Sequence, residues 1–161
     1  MPYRTPIVHY VWSPVKSLTI VCLLSLALVL VARDMTDATK RFAPVSRQDI
    51  NKIIARNHRD VKLVQSIIQV ESGWRQKAVS SAGAVGLMQV RPASARMVGL
   101  NYSHKDLLCP EKNIKAGTRI LRHYQRMTRG NLERALDLYS GGARGYYRKV
   151  MNLKQFQRSA A

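Results

Sequence analysis

The sequence predicts an all-α protein, one small helical domain behind an N-terminal apolar segment. Three observations carry that expectation. Apolar residues recur at helical spacing in two long stretches, Val64/Ile67/Ile68 and Ile114/Gly117/Ile120/Leu121/Tyr124, with polar residues between them. No Val/Ile/Thr/Tyr run alternates with period two for long enough to make a sheet. The 161 residues fit one compact domain plus an appendage.

Taken in order, residues 1–16 form an N-terminal tail, and residues 17–32 hold no charge between Lys16 and Arg33. As a helix those residues would reach about 24 Å, slightly short of a bilayer core, a gap that the flanking Lys16 and Arg33 can close by snorkelling. Trp12 and Tyr10 are residue types that settle at membrane interfaces. The segment is expected to be an uncleaved transmembrane anchor or, alternatively, an export signal removed near Thr36-Asp37-Ala38, where small residues flank the acid. Residues 33–45 are polar and aperiodic and are expected to be a tether, and residues 46–161 the globular domain. Arg4 and Lys16 contribute +2, so +16 of the net +18 falls after residue 32 and the basic character belongs to the domain. Charge of that size favours anionic partners.

Within the domain, Ser46 and Asp49 resemble a capping box ahead of Ile50, Ile53 and Ile54. Asp60 caps a second helix that ends at Gly73. Pro92 sits at a first helical position and Gly99 beyond the stop. Pro110 to about Thr128 reads as a longer helix with Lys115, Arg119, Arg122 and Arg126 outward. Asn131 caps a segment through Tyr139, Gly141-Gly142 interrupt, and a basic helix runs from about Ala143 to Gln157.

Several kinds of chemistry are excluded at this level. Cys22 and Cys109 make neither a disulfide framework nor a metal cluster, so no metal and no cofactor are expected. Gly73, Gly83 and Gly86 lack the following G-K-[ST] of a phosphate loop. His58, His104 and His123 are scattered among helix ends and basic faces.

The acids narrow the chemistry further. Of nine, Asp34 and Asp37 fall in the tether; Asp49, Asp60, Glu111 and Glu133 sit in caps or first turns, where the helix dipole favours them. Asp106 lies in a stretch of turn character, and Asp137 just before Tyr139. Glu71 alone falls in the middle of an apolar stripe, near Val64 and between Ile67 and Ile68 in helical projection. Three accounts of it remain open here: a general acid kept protonated by its surroundings, a member of a buried ion pair, or a residue at a helix end that reaches water.

The stretch from Glu71 adds context. Glu71-Ser72-Gly73, then Ser80-x-x-Gly83-Ala84-x-Gly86-Leu87-Met88-Gln89 and Pro92-Ala93-Ser94-Ala95, followed by Pro110-x-x-Asn113-Ile114-x-x-Gly117 and Ala135-Leu-Asp-Leu-Tyr139-Ser140-Gly141-Gly142, resemble the soluble lytic transglycosylase family over nearly all of residues 46–150. The resemblance implies a single lysozyme-like helical domain related to goose-type lysozyme. It implies that Glu71 is the catalytic acid, that Ser80, Met88, Gln89 and Arg91 line or shape the cleft, and that Tyr139 faces the acid. Ser140 stands where the family usually has Asn, a shorter group at a sugar-positioning site.

The activity so implied is cleavage of peptidoglycan glycan strands between N-acetylmuramic acid and N-acetylglucosamine. Glu71 protonates the glycosidic oxygen and then takes a proton from the muramic acid 6-hydroxyl, which closes a 1,6-anhydro ring without water. A monomer is expected, with its domain in the periplasm on a single-pass anchor in the cytoplasmic membrane, although Arg33, Lys40, Arg41 and Arg47 after the segment do not favour export by the positive-inside count. Small anchored relatives often open the wall for secretion, conjugation or phage machinery. Two other enzymatic and binding readings stand beside this one, a lysozyme-like hydrolase and a noncatalytic peptidoglycan-binding or assembly protein. A nucleic-acid partner is not expected, because the aromatics fall at core spacing rather than among the basic residues.

Overall fold

The computed structural model describes residues 44–159. The tail, the apolar segment 17–32 and nearly all of the tether expected from sequence lie outside the described residues. Among those described, no helix is long and apolar enough to cross a membrane.

Among the described residues seven helices follow one another: α1 (Arg47–Asn57), α2 (Val61–Ser72), α3 (Pro92–Met97), α4 (His104–Leu107), α5 (Pro110–Met127), α6 (Leu132–Ser140) and α7 (Tyr146–Ser159). Their ends follow the local chemistry. The Ser46 hydroxyl accepts from the Asp49 N–H at 3.1 Å, the Asp60 carboxylate from the Leu63 N–H at 3.0 Å and the Asn131 side chain from the Arg134 N–H at 3.0 Å. Gly73 and Gly141 take left-handed conformations just past α2 and α6.

Helix α5 is the axis of the domain and packs against α1, α3, α4 and α6, while α2 lies against α7 and α1. Ile50, Ile54, Val64, Ile67, Ile68, Leu107, Ile114, Leu121 and Leu136 are fully buried between these helices. The chain direction of α7 is opposite to that of α2. Tyr146 at the start of α7 meets Glu71 at the end of α2, and Lys154 further along meets Asp60 at the start of α2, with the Lys62 ammonium donating to the Gln157 carbonyl at 2.9 Å. The pair is therefore tied at both ends.

Between α2 and α3 the chain folds into a compact knot. Val85 forms single antiparallel bridges with Val79 and with Val90, and these isolated bridges are the only β pairing among the described residues. Asn113, fully buried on α5, holds the knot down. Its carboxamide accepts from the Met88 N–H at 2.8 Å and donates to the carbonyls of Val85 and Leu107, both at 2.8 Å. Gly86, at φ +78°, lies so close that a Cβ would stand 2.3 Å from the Asn113 Nδ2 and 2.6 Å from the Leu107 carbonyl oxygen.

Three boundaries differ from those expected. Helix α4 is an added element, stopped at its start by a full capping box in which Ser103 and Asp106 exchange side-chain to backbone bonds. Helix α7 begins at Tyr146 instead of near Ala143, because the Ala143 N–H is taken by the Ser140 hydroxyl and Gly142 and Gly145 hold positive φ. Val45 belongs to the domain rather than the tether: the Gln76 carboxamide accepts its N–H and donates to its carbonyl.

Candidate active site

A cleft of about 290 Å³ opens between the knot, α5 and α6, with Glu71 in its wall. Its lining also includes Ser80, Gln89, Arg91, Tyr139 and Ser140, so five of the six residues expected beside Glu71 come together there. Met88 is the exception. Its side chain is fully buried, and it packs so tightly on α5 that a Cβ on Gly117 would stand 2.5 Å from its sulfur. Met88 turns into the core together with its neighbour Leu87, and what it offers the cleft region is its carbonyl, which accepts the Tyr139 hydroxyl at 2.9 Å.

Glu71 lies in the last turn of α2, above Ile67 and Ile68, both fully buried. Its hydrogen-bond partner is Tyr146, whose hydroxyl donates to Oε1 at 2.6 Å. No cation pairs with it among the described residues, which removes the ion-pair account of this carboxyl. Burial pushes the Glu71 carboxyl above its ordinary range, and the Tyr146 hydrogen bond, which favours the ionised form, pulls in the other direction. Burial and the neighbouring Glu71 charge drive the Tyr146 and Tyr139 hydroxyls far up, so both remain O–H donors.

The phenol hydrogen-bonded to the acid is Tyr146, while Tyr139, to which the resemblance pointed, lines the same cleft. Tyr139 lies close enough to feel the Glu71 charge but spends its hydroxyl on the Met88 carbonyl. One signal for Tyr146 is present in the sequence: residues 146, 150 and 154 share a face of the basic α7, and all three are buried.

The remaining side chains divide into fixed and free groups. The Ser80 hydroxyl accepts from the Ala84 N–H at 3.0 Å and steadies the knot. Gln89, at φ +46°, folds its NH2 back onto the carbonyls of Gly86 and Ala78, which leaves its Oε1 as the acceptor available to a ligand. Ser140 donates to the Asp137 carbonyl and accepts from the Ala143 N–H, so its hydroxyl serves the α6 turn first. Arg91 is exposed, and its side chain makes no hydrogen bond or ion pair among the described residues. No cluster of metal-ligating side chains occurs among the described residues.

Replacement of Tyr146 by Phe removes the bond that favours ionised Glu71. The Glu71 carboxyl should then titrate higher, and the alkaline limb of the kcat/KM profile should move to higher pH. A limb that stays in place or moves to lower pH would show that Tyr146 does not set this ionisation.

Comparison with known proteins places this arrangement. The chain is 33% identical over 96 residues to a transglycosylase of Enterobacteria phage PRD1, a match covering 59% of this chain and 34% of the phage protein. It is 37% identical over 99 residues to the membrane-bound lytic murein transglycosylase C of Histophilus somni (strain 2336), covering 57% of this chain and 26% of that protein. The chain thus spans about a third or less of the length of these relatives. Among solved structures, the 70 kDa soluble lytic transglycosylase of Escherichia coli superposes with a TM-score of 0.52 at 27% identity, over 68% of this chain and 19% of that one. The profile of the transglycosylase SLT domain matches residues 48–160, from α1 through α7 and including every cleft residue described above, and the chain belongs to that family.

Proposed function

We propose that this protein is a peptidoglycan lytic transglycosylase, cleaving the β-1,4 bond between N-acetylmuramic acid and N-acetylglucosamine and leaving a 1,6-anhydromuramic acid end. The observation that carries the reading is a lone carboxyl. Glu71 is the only carboxylate lining the cleft among the described residues, and it is held in an apolar wall with a neutral phenol on it. A two-carboxylate glycosidase places its second acid about 5 to 9.5 Å away to act as nucleophile or to activate water. A single acid suffices when the nucleophile is a hydroxyl of the sugar itself.

The steps follow from the groups present. Glu71, whose burial favours the protonated form, gives its proton to the glycosidic oxygen as the bond to C1 breaks. The resulting carboxylate keeps the Tyr146 hydrogen bond and accepts the proton of the muramic acid 6-hydroxyl as that oxygen bonds to C1. The acid is regenerated and no water is consumed. Gln89 Oε1 is an acceptor for a sugar hydroxyl or amide N–H. Arg91, the only cation lining the cleft among the described residues, is suited to a carboxylate of the muramic lactyl or peptide branch.

Location and setting follow from the same reading. The substrate lies outside the cytoplasmic membrane, so the domain works in the periplasm, either on an anchor formed by residues 17–32 or after removal of that segment. Local opening of the wall for an envelope-spanning apparatus is supported by the phage relative. The test is mass analysis of fragments released from purified peptidoglycan. Products with 1,6-anhydro ends are expected; free reducing ends would make the protein a lysozyme-like hydrolase, and the absence of products across a range of pH would leave a binding role.

A further inference from the structure

A second concavity lies away from the cleft, on the opposite side of α5. Ile120 and Tyr124 face the cleft, whereas Arg122 and Gln125, about 100° further round the helix per residue, face a basin of about 560 Å³. The end of α1 and the turn into α2 complete it with Arg56, His58, Arg59 and Asp60. It is roughly twice the size of the cleft.

The basin's electrostatics are unbalanced. Arg56, Arg59 and Arg122 bring three arginines to the lining, and none forms an ion pair among the described residues. The Arg122 Nε has only a long 3.4 Å bond to the Thr118 carbonyl. Asp60, the one carboxylate in the lining, is already committed: its oxygens accept the Lys154 ammonium at 2.5 Å and the Leu63 N–H at 3.0 Å. The His58 Nδ1 lies 3.0 Å from the Asp60 amide nitrogen and 3.2 Å from the Asp60 carbonyl oxygen, so the turn into α2 engages that edge of the ring. Like charges gathered without a counterion cost the fold energy, and guanidinium forks match carboxylate and phosphate in two-point geometry.

We propose that this basin is a second binding site, for the oxyanions repeated along an anionic polymer, with Arg56, Arg59 and Arg122 as the groups that grip them. A basin of about 560 Å³ has room for a segment of polymer and not merely an isolated ion. Carboxylates and phosphates both have the required chemistry, and both occur on cell-wall polymers. A site on the far side of α5 holds such a polymer without entering the cleft, so that binding and cleavage are carried by separate surfaces.

The test is calorimetric titration of the full chain in neutral detergent with tripolyphosphate and with hexaglutamate. Arg56→Gln/Arg59→Gln/Arg122→Gln is compared with Lys77→Gln/Arg96→Gln/Lys105→Gln, which removes the same charge from exposed positions outside the basin. The basin variant should lose about tenfold or more in affinity, since each charge-assisted bond is worth more than a neutral one. The control should stay within about twofold, as expected for screened surface charge. Preference for one probe assigns the source as phosphate- or carboxylate-bearing. Equal losses in both variants, or no binding of either probe, would overturn the proposal. Arg122→Gln alone serves if the triple variant does not fold. Cleavage of a short soluble glycan should be unchanged in the basin variant, and Glu71→Gln should still bind the probe, so failure here and failure of the proposed activity are separable.

Discussion

Glu71→Gln should lower kcat by about 10² to 10⁴-fold, the range that a positioned general acid and base supplies. Gln has nearly the same shape and can still accept the Tyr146 hydroxyl through its carbonyl, so the cleft should keep its form and its affinity for glycan. What it cannot do is give up a proton or take one back, and both steps of the proposed reaction run through that single group. Release of fragments from purified peptidoglycan measures the loss. A variant that keeps more than about a tenth of the native rate would mean that another group moves the proton.

The same substitution has a second effect, on stability, and its sign is fixed by the direction of the shift. A carboxyl whose pKa is raised in the folded state contributes stability that is fully present below its unfolded value and is lost as pH rises through the folded value. Gln cannot ionise and loses nothing over that interval. The melting temperatures of native protein and Glu71→Gln should therefore agree at acid pH, with the variant melting higher as the pH becomes neutral and alkaline. Equal melting temperatures at every pH would contradict the buried, cation-free setting of this side chain.

Gly86→Ala should be the most disruptive single-methyl change in the domain. The backbone there is left-handed, which costs a residue with a Cβ about 1 to 2 kcal/mol. The new methyl would also meet the Leu107 carbonyl and the Asn113 carboxamide, and relieving such overpacking costs a further ~1 to 3 kcal/mol. A loss of about 3 kcal/mol should lower the melting temperature by roughly 10 to 15 °C in a domain of this size. The damage should also reach function, because moving Asn113 frees the Met88 N–H and loosens the knot that carries Ser80 and Gln89. A melting temperature within about 2 °C of native would show that the knot yields where these contacts say it is rigid.

How far the sequence discloses all this depends on where each residue's information lies. Helices α1, α2, α5 and α6 are legible because their caps and apolar periods are local, and the long period of α5 leaves one arrangement for its buried face. Helix α4 is hidden by its four-residue length, too short for a period, although Ser103 and Asp106 signal its start. Glu71 is legible as a polar residue in an apolar stripe. Tyr146 shows only a shared helix face with Val150, since its importance comes from a contact with a helix far away in sequence, and the Arg and Lys residues around it give α7 the look of a solvated exterior. Lys154 is masked in the same way: it is a buried cation among exposed ones, and only the fold brings Asp60 to it. Met88 illustrates the reverse, a position in a motif whose side chain turns inward once the knot is folded.

The pairing of α2 with α7 also fixes an order of events during synthesis. Glu71 and its phenol are 75 residues apart, and Asp60 and Lys154 are 94 apart, so these contacts close nearly the whole domain into one loop. Local helices form early and distant contacts late, because the entropy of closing a long loop must be met before its contacts exist. A nascent chain that has made α1 through α6 still exposes the apolar side of α2 and leaves Glu71 without its partner. The carboxyl acquires its final environment, burial together with the Tyr146 hydrogen bond, only when the last helix docks.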